Sequence, residues 1–243
     1  MKHDPLRLAQ LTALTCAAAA IGTAAQAVPV PGQGDWETTL QARDIDGDGI
    51  VDAYYDTTLY ITWLADANAG AGSAYDDGLN PTDGEMTWAS ANAWTAALNV
   101  HGVTGWRLPV MNPSSSTESE LSHMYCVTLG DFGPCNPLTT TGPGTWGFTN
   151  TGPFSNLISS WYWTGTLADA GPPATAWVWA GDPISAYHTA ESVNGDYLAW
   201  AVHDGDVPVT PAIPEPSTTV LMLMGVAALV FRRVRFSAPC TVR

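Results

Sequence analysis

One short stretch, Asp44-Ile45-Asp46-Gly47-Asp48-Gly49, concentrates the side chains best suited to chemistry. Carboxylates at positions one, three and five with glycine at six reproduce the first half of an EF-hand-type calcium loop, where oxygens converge on the ion and glycine permits the sharp turn. The second half departs from that pattern. Position twelve, where a bidentate acid belongs, is Tyr55, while Asp52 falls at nine and Asp56 at thirteen. Asp44, Asp46, Asp48 and Asp52 are the candidate calcium ligands, and Ca2+ is the only cofactor the sequence suggests. Carboxylates ~6 Å apart repel by about 0.7 kcal/mol per pair even in water, a cost that a cation relieves. The competing reading is a plain hairpin whose Asp and Gly supply positive φ. Both readings stay open at this point.

Other residues offer less. Cys126 and Cys135 bracket the turn-rich Gly130-Asp131-Phe132-Gly133-Pro134. A disulfide between them is expected, stabilising by roughly 2 to 3 kcal/mol in the chain-entropy model, with two buried thiols as the alternative. Trp161, Trp163, Trp177 and Trp179 form a candidate ligand face, because aromatic rings pack on the C–H faces of sugars; the alternative is core. Strand alternation places each pair, Trp161 with Trp163 and Trp177 with Trp179, on one face of its strand. Trp106 is expected in the core and Arg107 in an ion pair, since an unpaired buried charge costs several kcal/mol. His101, His123, His188 and His203 are scattered, and the chain contains no His-Glu-x-x-His pair, Gly-x-Ser-x-Gly elbow or phosphate-cradling glycine loop. The expectation is a protein that is not an enzyme.

The elements that must position these residues are short. Asp35 to Leu40 and Tyr54 to Leu64 read as strands flanking the acidic turn, the second alternating Leu59, Ile61 and Trp63 against Tyr60 and Thr62. Thr87 caps a helix carrying Trp88, Ala91, Thr95 and Leu98 toward Gly102. Thr117-Glu118-Ser119-Glu120 reads as a capping box for a second helix, with Leu121, Met124, Tyr125 and Leu129 as its apolar stripe and Gly130 as its terminator. Trp106 to Val110, Trp161 to Thr166, Ala176 to Trp179 and Tyr197 to Val202 read as strands. Strands on both sides of two helices indicate an α+β domain.

Three segments in order carry a resemblance: Ile61-Thr62-Trp63-Leu64-Ala65-Asp66-Ala67-Asn68, Met86-Thr87-Trp88-Ala89-Ser90-Ala91-Asn92-Ala93-Trp94 and Gly105-Trp106-Arg107-Leu108-Pro109. With Tyr162-Trp163-Thr164-Gly165-Thr166 and Tyr197-Leu198-Ala199-Trp200-Ala201-Val202, they make residues 55–207 similar to the DUF1566 domain, which is related to the C-terminal domain of Legionella collagen-like adhesins. The resemblance implies a C-type-lectin-like fold with two helices and a small twisted antiparallel sheet, no assigned catalytic residues, and an extracellular glycan as partner. Residues 28–54 then form a preceding strand region containing the acidic turn.

Both ends read as targeting signals. Lys2 and Arg7 precede a Leu- and Ala-rich stretch, and Ala25-Gln26-Ala27 suits signal peptidase, so 1–27 is expected to be a signal peptide cleaved before Val28. Residues 208–216 form a Pro-rich linker ending in Pro214-Glu215-Pro216. Residues 217–235 then hold an apolar run, Thr218 to Phe231, and a basic cluster that includes Arg232 and Arg233, ahead of a tail at 236–243. Those fourteen apolar residues make a helix of about 21 Å against a hydrocarbon core of ~30 Å, and the arginines suit a cytoplasmic stop. Triplet, apolar run and arginines together resemble the PEP-CTERM sorting signal of Gram-negative bacteria. That resemblance implies an exosortase as partner, a transient transmembrane helix in the inner membrane, and final delivery to the cell surface or extracellular matrix.

Charge narrows the partners further. Of 23 acids and eight Lys and Arg, Asp4, Glu215, Lys2, Arg7 and the four arginines beyond residue 231 lie outside residues 28–213. That leaves 21 acids against Arg43 and Arg107, a net charge of −19. Such a surface repels nucleic acid and anionic lipid and favours divalent cations. Eleven tryptophans in the chain argue against solvated disorder. The expectation is an exported, exosortase-processed surface protein with a non-catalytic binding or matrix module, or alternatively a purely structural component of the envelope or exopolysaccharide layer.

Overall fold

The acidic turn closes a hairpin. In the computed structural model, which describes residues 33–114, 119–131, 147–181 and 186–209, β1 (Leu40–Arg43) pairs antiparallel with β2 (Ala53–Asp56), and Arg43 opposite Ala53 closes the loop. The signal peptide expected at 1–27, Thr117, Glu118, Cys135, Pro214-Glu215-Pro216, Arg232, Arg233 and the 217–235 segment lie outside those residues. Among the described residues no helix is long and apolar enough to cross a membrane.

Two of the expected strands need correction. Asp35 to Leu40 is instead a helical turn, α1 (Trp36–Thr39), because the Asp35 carbonyl accepts the Thr38 and Thr39 amides and its carboxylate accepts the Thr39 hydroxyl. Tyr54 to Leu64 reverses on itself. The Asp56 carboxylate accepts the Thr58 and Leu59 amides of the turn, and Tyr60 adopts φ 58°. The chain returns as β3 (Ile61–Leu64), antiparallel to β2. All four β3 residues are buried, so the expected alternation fails because both faces of this strand are covered.

The single small sheet expected from the resemblance is replaced by two five-stranded sheets. One adds β5 (Trp106–Arg107) and β10 (Val202–Asp204) to the three strands already placed, in the order β1-β2-β3-β10-β5. The other is built from β4 (Glu85–Met86), β6 (Trp161–Asp169), β7 (Thr175–Ala180), β8 (Tyr187–Ser192) and β9 (Tyr197–Leu198), in the order β4-β9-β6-β7-β8. Its β6–β9 pairing is parallel. Ala199, Trp200 and Ala201, all buried, carry the chain from one sheet to the other. Trp200 is the hub of the core: its ring lies 4.5 Å from Trp63 and 4.7 Å from Phe154, and its Nε1 donates to the Leu64 carbonyl.

The helices follow the pattern more closely. Thr87 caps α2 (Trp88–Ala97) by accepting the Ser90 amide, and Trp88 Nε1 donates to the Thr164 carbonyl on β6. Leu121, Met124, Tyr125 and Leu129 are all fully buried. After α3 (Glu120–His123), however, the backbone widens into a π-helical segment, Met124–Thr128, in which the Leu129 amide reaches back to the Met124 carbonyl. The segment ends where Gly130 (φ +68) crosses Gly34 (φ +70). A Cβ on Gly34 would collide with the Thr128 carbonyl, and one on Gly130 with the Gly34 amide nitrogen, so this crossing requires glycine on both sides.

Candidate functional site

Asp44, Asp46 and Asp48 each bring a carboxylate oxygen within 4.8 Å of the others, and Asp46, Asp52 and His101 form a second such group. The loop holds its acids by local bonds. Asp44 accepts the Gly47 and Gly49 amides, Asp46 the Asp48 amide, Asp48 the Ile50 amide, and Asp52 the Ile45 amide. These bonds fix the carboxylates while their oxygens stay grouped. Gly47 (φ 81°) and Gly49 (φ 91°) supply the positive φ that the hairpin reading anticipates. Hairpin and acidic cluster are therefore properties of one loop.

His101 is the addition that sequence spacing missed. Its Nδ1 lies 3.0 Å from Asp46 Oδ2 and its Nε2 lies 3.1 Å from Asp52 Oδ1. Both contacts join a donor to an acceptor only when the ring carries two protons. A cation entering this group would compete with the ring for the Asp46 and Asp52 oxygens. The one local hint is Asn99, which accepts the Gly102 amide in a turn that presents His101 at φ 49°.

Asp56, at loop position thirteen, belongs elsewhere. It is fully buried, it caps the β2–β3 turn, and burial raises its carboxyl above the usual range against the lowering effect of the turn amides and of His123. Tyr55, at position twelve, lies under the Arg43 guanidinium, 5.3 Å from ring centroid to carbon. The twelfth-position ligand of an EF-hand has no counterpart at that position.

The four-tryptophan ligand face also needs correction. Directly paired residues share a face of a sheet. Trp179 pairs with Tyr162 and Val178 with Trp163, so Trp177 and Trp179 lie on the face opposite Trp161 and Trp163. Trp163 and Trp179 are buried, the first donating from Nε1 to the Met86 carbonyl, the second packed against Tyr125 and His188. Burial in this packing pulls the His188 pKa down to about 4. Trp161 and Trp177 remain partly exposed, and Trp161 stacks on Tyr197 at 5.5 Å.

Both arginines among the described residues, Arg43 and Arg107, are engaged in ion pairs. Arg43 makes a two-bond fork to Asp206 at 2.6 and 2.8 Å. Arg107 grips Glu120 through two bonds of 2.8 Å and also Asp204, tying β5 to α3 and β10. Burial opposes the Arg107 charge, but Glu120 and Asp204 outweigh it and hold the pKa above the usual value. Glu120 also accepts the Val110 amide, so its carboxylate is directed to Arg107 and the chain just after β5. Trp106 is core, as expected, at 3 % exposure. Cys126 is buried and disulfide-bonded, while its expected partner Cys135 is not among the described residues. His123 lies on α3, and His203 packs against Trp106.

Comparison with known proteins bears on the C-terminal segment. Residues 212–235 match the PEP-CTERM protein-sorting motif. The chain carries this sorting signal. It implies an exported, membrane-transiting surface protein of Gram-negative bacteria, recognised by an exosortase. Neither curated proteins nor solved structures yield a match.

The calcium reading of the 44–52 loop has a direct thermal test. Millimolar calcium is expected to raise the melting temperature of the full chain, by the equivalent of about 2.7 kcal/mol at a hundredfold excess over Kd. Magnesium at equal ionic strength controls for screening and is expected to do less, because its small octahedral shell suits flexible carboxylate loops poorly. Asp46→Asn with Asp48→Asn is expected to remove the increment contributed by this loop. Equal effects of the two ions, unchanged in that double variant, would leave only a hairpin turn.

Proposed function

We propose that this chain is an exosortase-processed surface protein whose domain between the two targeting signals is a non-catalytic binding module of lectin-like type. The sorting motif at 212–235 carries the first half of the reading. The DUF1566-like strings and the mixed α+β architecture support the second half. The cleaved leader at 1–27, the Cys126–Cys135 bridge and the domain span 55–207 belong to the same proposal.

Charge selects the ligand class. The only basic side chains other than histidine between residues 28 and 213 are Arg43 and Arg107, and both are in ion pairs with carboxylates. Sulfated or uronic-acid glycans would meet a field of −19 with no arginine or lysine left to receive them. A neutral glycan stacking on the partly exposed Trp161 and Tyr197 suits this surface. A glycan array probed with the surface-recovered protein, with and without calcium, tests the reading. Saturable binding confined to neutral glycans is the expected result; no saturable binding to any glycan would replace the module with a purely structural envelope component.

A further inference from the structure

The long connection from β3 to β4 contains a second set of oxygens, apart from the acidic hairpin in sequence. Short backbone bonds fold it into successive turns: Ala71 to Asn68, Ser73 to Gly70, Asp76 to Ser73 and Gly78 to Glu85. Asp76 is only 5 % exposed. Its Oδ2 accepts the Gly72 and Gly84 amides at 2.7 and 3.0 Å, whereas its Oδ1 is fully buried without a hydrogen-bond partner. Asn68, 9 % exposed, donates from Nδ2 to the Asp83 carbonyl, and its Oδ1 is likewise buried and unpartnered. A carbonyl can only accept, so the amide nitrogen must face Asp83 and the oxygen must point the other way.

Both groups meet at Gly84. Its amide binds Asp76, and a Cβ on its α-carbon would collide with Asn68 Oδ1, so only glycine (φ +84) fits. A buried acceptor without a donor forfeits its hydration with nothing in return, and this connection holds two of them. Neighbouring carboxylates raise one another here. The Glu85 carboxyl is raised by burial and then by Asp83, Asp196 and Asp76, and that of Asp196 by burial and then by Asp77 and Asp83. Arg43 and Arg107, the two arginines among the described residues, are engaged elsewhere.

We propose that Asn68 Oδ1 and Asp76 Oδ1 are ligands of a divalent cation of the calcium class, at a site separate from the Asp44–Asp52 loop. One amide oxygen and one carboxylate oxygen, supplemented by backbone carbonyls and water, match the hard, oxygen-only shell that calcium takes. The absence of nitrogen and sulfur donors from this pair disfavours zinc and copper. The ion would fasten the connection at both ends, near Asn68 behind β3 and near Gly84 ahead of β4.

Hydrogen–deuterium exchange on the full chain in detergent tests this, using Asp46→Asn with Asp48→Asn to disable the hairpin loop. With calcium at a hundred times Kd, amides between residues 68 and 84 are expected to exchange about a hundredfold more slowly. Magnesium should slow them much less, and adding Asp76→Asn should cancel the calcium effect. No calcium-dependent slowing in 68–84, or equal slowing by magnesium, overturns the proposal even if the Asp76 variant fails to fold. The hairpin site can fail in its own thermal test without affecting this result.

Discussion

Replacing Pro214-Glu215-Pro216 by alanines is expected to leave export intact and to stop processing, so that the uncleaved chain accumulates in the inner membrane. In the proposed reading export depends on the leader at 1–27, which the substitution does not touch. The triplet immediately precedes the apolar run, within the matched motif at 212–235, where a membrane enzyme can reach it. The arginines behind that run oppose passage of the C-terminus across the bilayer, so an uncleaved chain stays tethered. Fractionation and immunoblotting measure this directly. The expected change is a near-complete shift from surface to membrane with a larger apparent mass, and normal surface delivery of the variant would refute the sorting mechanism.

Trp163→Ala is expected to be strongly destabilising. The side chain is fully buried, its Nε1 donates to the Met86 carbonyl at 2.7 Å, and its ring packs edge-on against Tyr197 at 4.9 Å. Truncating a buried tryptophan typically costs about 3–5 kcal/mol, of the order of a third or more of a domain's stability. In a domain of this size that corresponds to a fall in melting temperature of roughly 6 to 20 °C. Trp177→Ala, at a partly exposed position, should cost much less. Thermal denaturation of the two variants decides the matter: similar small losses for both would return Trp163 to the candidate ligand face.

Features legible in the sequence are those written in local chemistry. Thr87 and the Leu121, Met124, Tyr125 and Leu129 stripe announce their helices because capping and 3.6-residue periodicity are contained within a few residues. The acidic hairpin is legible for the same reason, its turn glycines lying beside its carboxylates. The Trp161/Trp163 and Trp177/Trp179 pairs do not form one face because strand alternation sets parity within a strand but not across a pairing, which depends on the register Trp179 to Tyr162. His101 escapes sequence reading for a related reason. Its approach to Asp46 and Asp52 is a tertiary contact, made by a turn about fifty residues downstream. Tyr54 to Leu64 reads as one strand because its composition favours strand throughout, and only the Asp56 side chain, capping the turn, marks the reversal.

The most direct measurement is the intact mass of the chain recovered from the surface of the cells that make it. Exosortase processing predicts a species that lacks the apolar run from Thr218 to Phe231 and the arginines behind it, and the proposed leader cleavage predicts one that begins at Val28. A surface-recovered chain still carrying Thr218 to Arg235 would contradict it.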